Sequence, residues 1–160
     1  IMPTEGGEAQ RLPTARGIDT QPSWAPNGRQ IAFTSTRAGT PQIYLMDADG
    51  TGVRRLSFNG SFHDEAAWAL DGTRVVCTTK VEGKFQLATL DTITTERTVI
   101  SAPGNNESPC FSPDGSMLAF ESDRTGEPQI FITDADGVPY QLTTEGRNHS
   151  PTWIGPGTAQ

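Results

Sequence analysis

At 160 residues the chain has the length of one domain that can bury a sizeable core, and its Gly (17) and Pro (12) content suits short strands joined by tight turns. The formal net charge of −7 argues against a phosphate-backbone partner and against an anionic membrane surface, and no apolar run approaches the roughly 18 residues of a spanning helix. Neither nucleic-acid binding nor membrane insertion is therefore expected.

Long helices are not expected either, because no stretch combines a 3.6-residue apolar period with freedom from Gly and Pro. A phrase repeats instead: Trp24-Ala25-Pro26-Asn27-Gly28, Trp68-Ala69-Leu70-Asp71-Gly72, Phe111-Ser112-Pro113-Asp114-Gly115 and a degraded Trp153-Ile154-Gly155-Pro156-Gly157. The aromatics are spaced by 44, 43 and 42 residues, a period that belongs to repeat architectures. In chain order, residues 1–13 read as the end of one repeat, since Ile1-Met2 aligns with Leu45-Met46 and Gln10-Arg11-Leu12 with Arg54-Arg55-Leu56. Residues 14–57, 58–100 and 101–143 are whole repeats, and 144–160 begin another.

Each whole repeat offers the same elements. The aromatic closes a first strand. After the turn comes a second strand: Gln30–Ser35, Arg74–Thr79 or Met117–Ser122. A polar turn (Thr36–Gly39, Lys80–Gly83 or Asp123–Gly126) leads to a third strand: Gln42–Asp47, Phe85–Asp91 or Gln129–Asp134. A short fourth strand ends in Arg55-Leu56, Thr98-Val99 or Gln141-Leu142. Pro-Asp-Gly and Asp-Gly supply the preset φ and the φ > 0 residue that antiparallel hairpins need. Four short antiparallel strands at this period describe a β-propeller blade. The expected fold is all-β, with three complete blades and one split between the termini.

These phrases resemble the TolB-type propeller repeat, whose consensus runs Trp-Ser-Pro-Asp-Gly, Ile-Ala-Phe-x-Ser-x-Arg-x-Gly, Ile-Tyr-x-Met-Asp-Ala-Asp-Gly, Arg-x-Leu-Thr. Pro22–Leu56 and Pro109–Thr143 match almost throughout, whereas the middle repeat has Leu70 for Pro and Leu90-Asp91-Thr92-Ile93-Thr94 for the Asp-Ala-Asp-Gly turn. The resemblance implies cell-envelope scaffolds, regulatory propellers of peptidases, or secreted and surface proteins of bacteria. Relatives usually close six or more blades in one chain, so this chain is either an excerpt or associates with copies of itself.

The candidate site is a set of polar pairs five and four residues before each aromatic: Asp19-Thr20, His63-Asp64, Asn106-Glu107 and Asn148-His149. On innermost strands they would gather at one channel mouth and hold an ion, solvent or a small polar ligand, or else satisfy strand starts and channel water. Asp47-Ala48-Asp49-Gly50 and Asp134-Ala135-Asp136-Gly137 invite a calcium reading, but position twelve is Phe58 in the first and Glu145 in the second, neither is expected to be flanked by helices, and both are read as turns. No catalytic signature, metal-ligand spacing or cofactor motif is present.

Cys77 takes the place of Phe33 and Phe120 and is expected to be a buried thiol, with a bridge to Cys110 as the alternative. Arg37 and Arg124 are expected to cap turns against local carboxylates. Trp24, Trp68, Phe111 and Trp153 are expected to pack blade on blade rather than stack on a sugar. The expected function is a non-catalytic protein-interaction or structural scaffold, periplasmic, secreted or surface-exposed, that self-assembles through open blade faces. A hydrolase or lyase propeller with a ligand or metal at the mouth is the alternative.

Overall fold

A computed structural model of the protein describes residues 1–12, 16–100, 102–134 and 138–154. Among them are twelve strands and no helix. Three four-stranded antiparallel sheets follow one another along the chain. The first holds β1 (Asp19–Trp24), β2 (Gln30–Ser35), β3 (Gln42–Asp47) and β4 (Arg54–Arg55). The second holds β5 (His63–Trp68), β6 (Arg74–Val81), β7 (Lys84–Asp91) and β8 (Arg97–Ile100). The third holds β9 (Asn106–Phe111), β10 (Met117–Ser122), β11 (Gln129–Asp134) and β12 (Tyr140–Gln141). Each sheet is a meander whose strands lie side by side in sequence order, the arrangement of a propeller blade.

The hairpins form where the sequence supplies turn chemistry. Asn27, Asp71 and Asp114 each accept the backbone N–H two residues on, closing the β1–β2, β5–β6 and β9–β10 turns. The middle blade departs from the expected polar turn at Lys80–Gly83. There β6 continues to Val81 and closes on a two-residue turn, with Glu82 at φ 49° and Gly83 at φ 84°. Both central residues at positive φ make this the tight turn that matches strand twist. Its sisters have longer loops because Arg37 and Arg124 fold back over aromatic rings that the middle blade lacks. Arg37 lies 5.1 Å from the Phe33 ring and 4.8 Å from that of Tyr44, and Arg124 lies 5.3 Å from Phe120 and 4.4 Å from Phe131. The facing pair in the middle blade is Cys77 and Ala88, which offers nothing to stack on.

The expected carboxylate partner holds for Arg37, which pairs with Asp19 at 3.0 Å. Arg124 is different: it donates to the Asn106 side-chain oxygen at 2.7 Å. Both cysteines are free. Cys77 is fully buried, which drives its thiol pKa up. Cys110 donates to the Pro151 carbonyl at 3.0 Å, and burial raises its pKa to about 11.

Blades stack through their aromatics. Trp68 is buried in the seam between the first two blades, and its indole N–H donates to the Ser23 carbonyl at 3.0 Å. Trp153 repeats the move, donating to the Cys110 carbonyl at 3.2 Å, although residues 142–154 carry no strand of their own. Trp24, on the outer face of the first blade, stays 48% exposed against 7% for Trp68. Leu12 packs on that face against Ile31, Phe33, Tyr44 and Met46. Asp47-Ala48-Asp49-Gly50 forms a turn in which Asp49 accepts the Thr51 N–H and hydroxyl. The second such phrase lies, beyond Asp134, outside the described residues, as do Gly155–Gly157.

Candidate functional site

Every innermost strand is broken at the same place. Register slips between Thr20 and Ser23 in β1, between Asp64 and Ala67 in β5, and in β9 opposite Ala119 and Glu121. The extra residue of each bulge sits at positive φ: Gln21 at 49°, Glu65 at 56° and Ser108 at 53°. Ser150, at 48°, repeats the conformation at the matching point of the fourth repeat. Positive φ is uncommon outside Gly, and bulges of this kind aim a backbone group out of the ladder.

The freed N–H points at the preceding blade. Glu65 N–H donates to Gln21 Oε1 at 3.3 Å, Ser108 N–H to Glu65 Oε2 at 2.8 Å, and Ser150 N–H to Glu121 Oε2 at 3.3 Å. Glu65 is held most fully, because it also accepts from Thr78 Oγ1 at 2.7 Å and from Ser108 Oγ at 2.9 Å. The result is a row of polar groups crossing the blades. It floors a shallow cleft of about 340 Å³ lined by Gln21, Glu65, Ser108 and Ser150 with the adjacent prolines Pro22, Pro109 and Pro151.

The polar pairs flank this row, and strand alternation divides them. The first members turn into the body of the protein. His63 and Asn106 are buried, and each meets a glutamine near the start of the third strand of the preceding blade. His63 Nδ1 lies 3.2 Å from Gln42 Oε1; Asn106 Nδ2 donates to Gln86 Oε1 at 3.3 Å; Asn148 Nδ2 donates to Gln129 Oε1 at 3.0 Å. The same glutamines donate through Nε2 to Gly60, Gly104 and Gly146 carbonyls at 3.4, 2.9 and 2.8 Å. Each Gln thus staples the loop that leads from its own blade to the next. Asp19 has no such glutamine among the described residues and pairs with Arg37.

His63 fits the staple least well. Its Nε2 is buried with no hydrogen-bond partner among the described residues. Burial, with Arg97 and Arg55 close by, lowers its pKa to about 4, so the ring is neutral at pH 7.

The second members stay near the cleft. Asp64 accepts from Thr34 Oγ1 of the preceding blade at 2.7 Å. His149 Nδ1 meets Glu121 Oε1 at 2.8 Å. Glu107 is pushed above the usual carboxylate range, first by burial and then by the charges of Glu65, Glu121 and Asp123. Among the described residues no group of three or more His, Cys, Asp or Glu side chains is placed to hold a metal ion. The chemistry on offer is hydrogen bonding from a negatively charged, proline-edged surface.

Sequence comparison decides what kind of propeller this is. The family described as TolB beta propeller domain matches residues 1–117. The chain belongs to that family. It is 34% identical over 131 residues to the Protein TolB homolog of Chlorobium luteolum, covering 81% of this chain and 30% of the relative. To the Tol-Pal system protein TolB of Bordetella pertussis it is 33% identical over 150 residues, covering 92% of this chain and 34% of that protein. The crystal structure of TolB from Acinetobacter baumannii superposes with a TM-score of 0.75 at 26% identity, over 89% of this chain and 36% of that one. The chain thus spans about a third of the length of the curated relatives it matches.

Two parts of the site escape a reading of the sequence: the bulge residues Gln21, Glu65, Ser108 and Ser150, and the stapling glutamines Gln42, Gln86 and Gln129. The signals exist. A polar residue always stands three before the aromatic, and each Gln precedes its loop Gly by 18, 18 and 17 residues.

Proposed function

We propose that this chain forms part of a non-catalytic TolB-like propeller that binds a protein partner in the bacterial periplasm, through the cleft at the innermost bulges. The observation that carries the reading is the row Gln21–Glu65–Ser108–Ser150, where groups of successive blades line one cleft, with Asp64, Glu107 and His149 each one residue before a member of the row. A surface built on the same strained backbone conformation at equivalent positions of every repeat is rigid, and a rigid polar surface costs little ordering entropy when a partner docks. Names of relatives such as Tol-Pal system protein TolB support an envelope role. Asp19, with its charge spent on Arg37, and His63, Asn106 and Asn148, turned inward, shape the surface from behind. Direct contact falls to Asp64, Glu107 and His149.

A finer proposal concerns assembly. Trp24 on one outer face, and Tyr140 and Leu142 on the other, are about half exposed, whereas Leu56, the counterpart of Leu142, is fully buried between blades. These faces suit further blades or a second copy of the chain, so copies would join through them into a ring or filament. Light scattering across a concentration series tests this: a monomer at all concentrations removes self-assembly.

The binding proposal is tested by placing a photo-crosslinking residue at Ser150 or, as control, at Thr98 on the outermost strand β8. Irradiation in envelope extract gives a discrete protein adduct from Ser150 and none from Thr98. Adducts from neither, or equally from both, would remove the cleft as the docking face.

A further inference from the structure

The seams between blades use matching positions, and only the first is filled. Between the first and second blades, Ala25, Ala32, Leu45, Leu56, Trp68 and Val75 belong to one buried cluster. Between the second and third, the counterparts Ala69, Val76, Thr89, Ile100, Phe111 and Leu118 line an open crevice of about 430 Å³. Two shortenings open it. Phe111 stands where Trp68 fills the first seam, and Thr89 stands where Leu45 does. Ile100 is 42% exposed, whereas Leu56, its counterpart, is 0% exposed. Val76 and Leu118 are larger than their counterparts, but they pack with Leu87, Phe120 and Phe131 and leave the space beside Phe111 free.

The rim of the crevice is charged. Asp71, Asp114 and Asp134 stand there with one cation, Arg74, which already pairs with Asp71 at 3.3 Å. Two carboxylates are left over at the mouth of an apolar slot that a larger aromatic occupies in the sister seam. Its volume falls in the range of small-molecule sites, which combine an apolar lining with a few polar groups.

We propose that this crevice binds a small amphipathic cation, an aromatic ring carrying a protonated alkylamine, with the ring against Phe111 and the ammonium toward Asp114 and Asp134. The slot lies at the far end of the innermost strands from the bulge row, so it does not depend on the docking surface proposed above. The ring replaces the packing that the indole of Trp68 supplies in the first seam, and the ammonium answers the surplus negative charge.

The test titrates the 160-residue chain with tryptamine and, separately, with indole-3-acetate, following amide shifts by NMR. Tryptamine is expected to saturate, with the largest shifts at Leu70, Phe111 and Asp134. It should bind roughly fivefold tighter than the anion with the same ring, a modest preference because the rim is exposed to solvent. Phe111→Trp fills the slot, so it should abolish binding and raise the melting temperature. Should that variant fail to fold, Thr89→Leu, which introduces the first seam's residue, occludes the same space. Asp134→Asn should lower the preference for the cation while the ring still binds. No saturable binding of either compound, equal affinity for both, or undiminished binding in folded Phe111→Trp would each overturn the proposal.

Discussion

The two blade seams differ in how completely their apolar parts are filled. The first is apolar and full: Trp68, Leu45 and Leu56 close it, although His63 Nε2 has no hydrogen-bond partner among the described residues. The second is looser, and the counterpart residues line an open crevice. Hydrogen bonds cross both. Across the first, the Trp68 indole N–H donates to the Ser23 carbonyl and Thr34 Oγ1 donates to Asp64. Across the second, Asn106 donates to Gln86, and Glu65 is held by both N–H and hydroxyl of Ser108. Repetition therefore fixes the polar geometry of a blade junction without fixing how full its apolar part is. The second seam can spare apolar contact and open a slot while those hydrogen bonds span it.

The largest expected break in this comparison comes from truncating the aromatics. Trp68→Ala should cost about 3–5 kcal/mol of stability, the range for a buried aromatic. Phe111→Ala, at a half-buried position beside an existing crevice, should cost about half as much, because less new cavity forms. Urea unfolding of the two variants measures both; equal losses would mean that the seams are alike.

Next is the pH response of the first seam. The His63 pKa is about 4 when folded against 6.5 when free, so on acidification the unfolded chain takes up its proton first. Well above pH 6.5 the ring is neutral in both states and adds no proton-linked cost, and stability is lost as pH falls through 6.5 toward 4. Between about pH 6.5 and 5 that loss should reach roughly 2 kcal/mol by proton linkage. His63→Asn, which introduces the residue of the sister repeats, should flatten this part of the profile. A profile still sloping in the variant would locate the titration elsewhere.

Asn106→Ala should cost about 1–3 kcal/mol, since it strands buried partners on Gln86 and Arg124. The equivalent change at Asn148, in the partly exposed final repeat, should cost less than about 1 kcal/mol. The smallest effect is at Glu107. Its raised pKa means that the folded state accepts the proton first, so this carboxylate adds stability as pH falls. Glu107→Gln should add a few tenths of a kcal/mol at pH 7 once solvent screening is allowed for, and thermal melts at pH 7 and 5 would show a smaller gain at the lower pH.

The blades were legible because their signals are local. The strands Gln30–Ser35, Gln42–Asp47, Met117–Ser122 and Gln129–Asp134 lie where alternation and Asp-Gly turns put them. The middle hairpin was missed because its turn depends on a stacking partner across the strand pair. Once Cys77 and Ala88 replace the rings, no arginine needs the longer loop. The site was legible only as a set of polar pairs. A one-residue bulge changes which face the next side chain meets, and Thr20-Gln21-Pro22 and Asp64-Glu65-Ala66 mark it only by a polar residue three before the aromatic, which fits an unbroken strand equally well. That His63 and Asn106 point inward follows from glutamines on a neighbouring blade, about twenty residues away in sequence.

The division of the polar pairs is the central claim, and paired variants test it most directly. His63→Asn and Asn106→Ala change the inward members; Glu107→Gln and His149→Gln change the members at the cleft. Stability by urea unfolding and crosslinking yield from Ser150 would be measured on all four as folded proteins. The inward variants should shift stability and leave the yield unchanged, while the cleft variants should lower the yield severalfold and leave stability within about 0.5 kcal/mol. A yield that falls with the inward variants and ignores Glu107 and His149 would contradict the account.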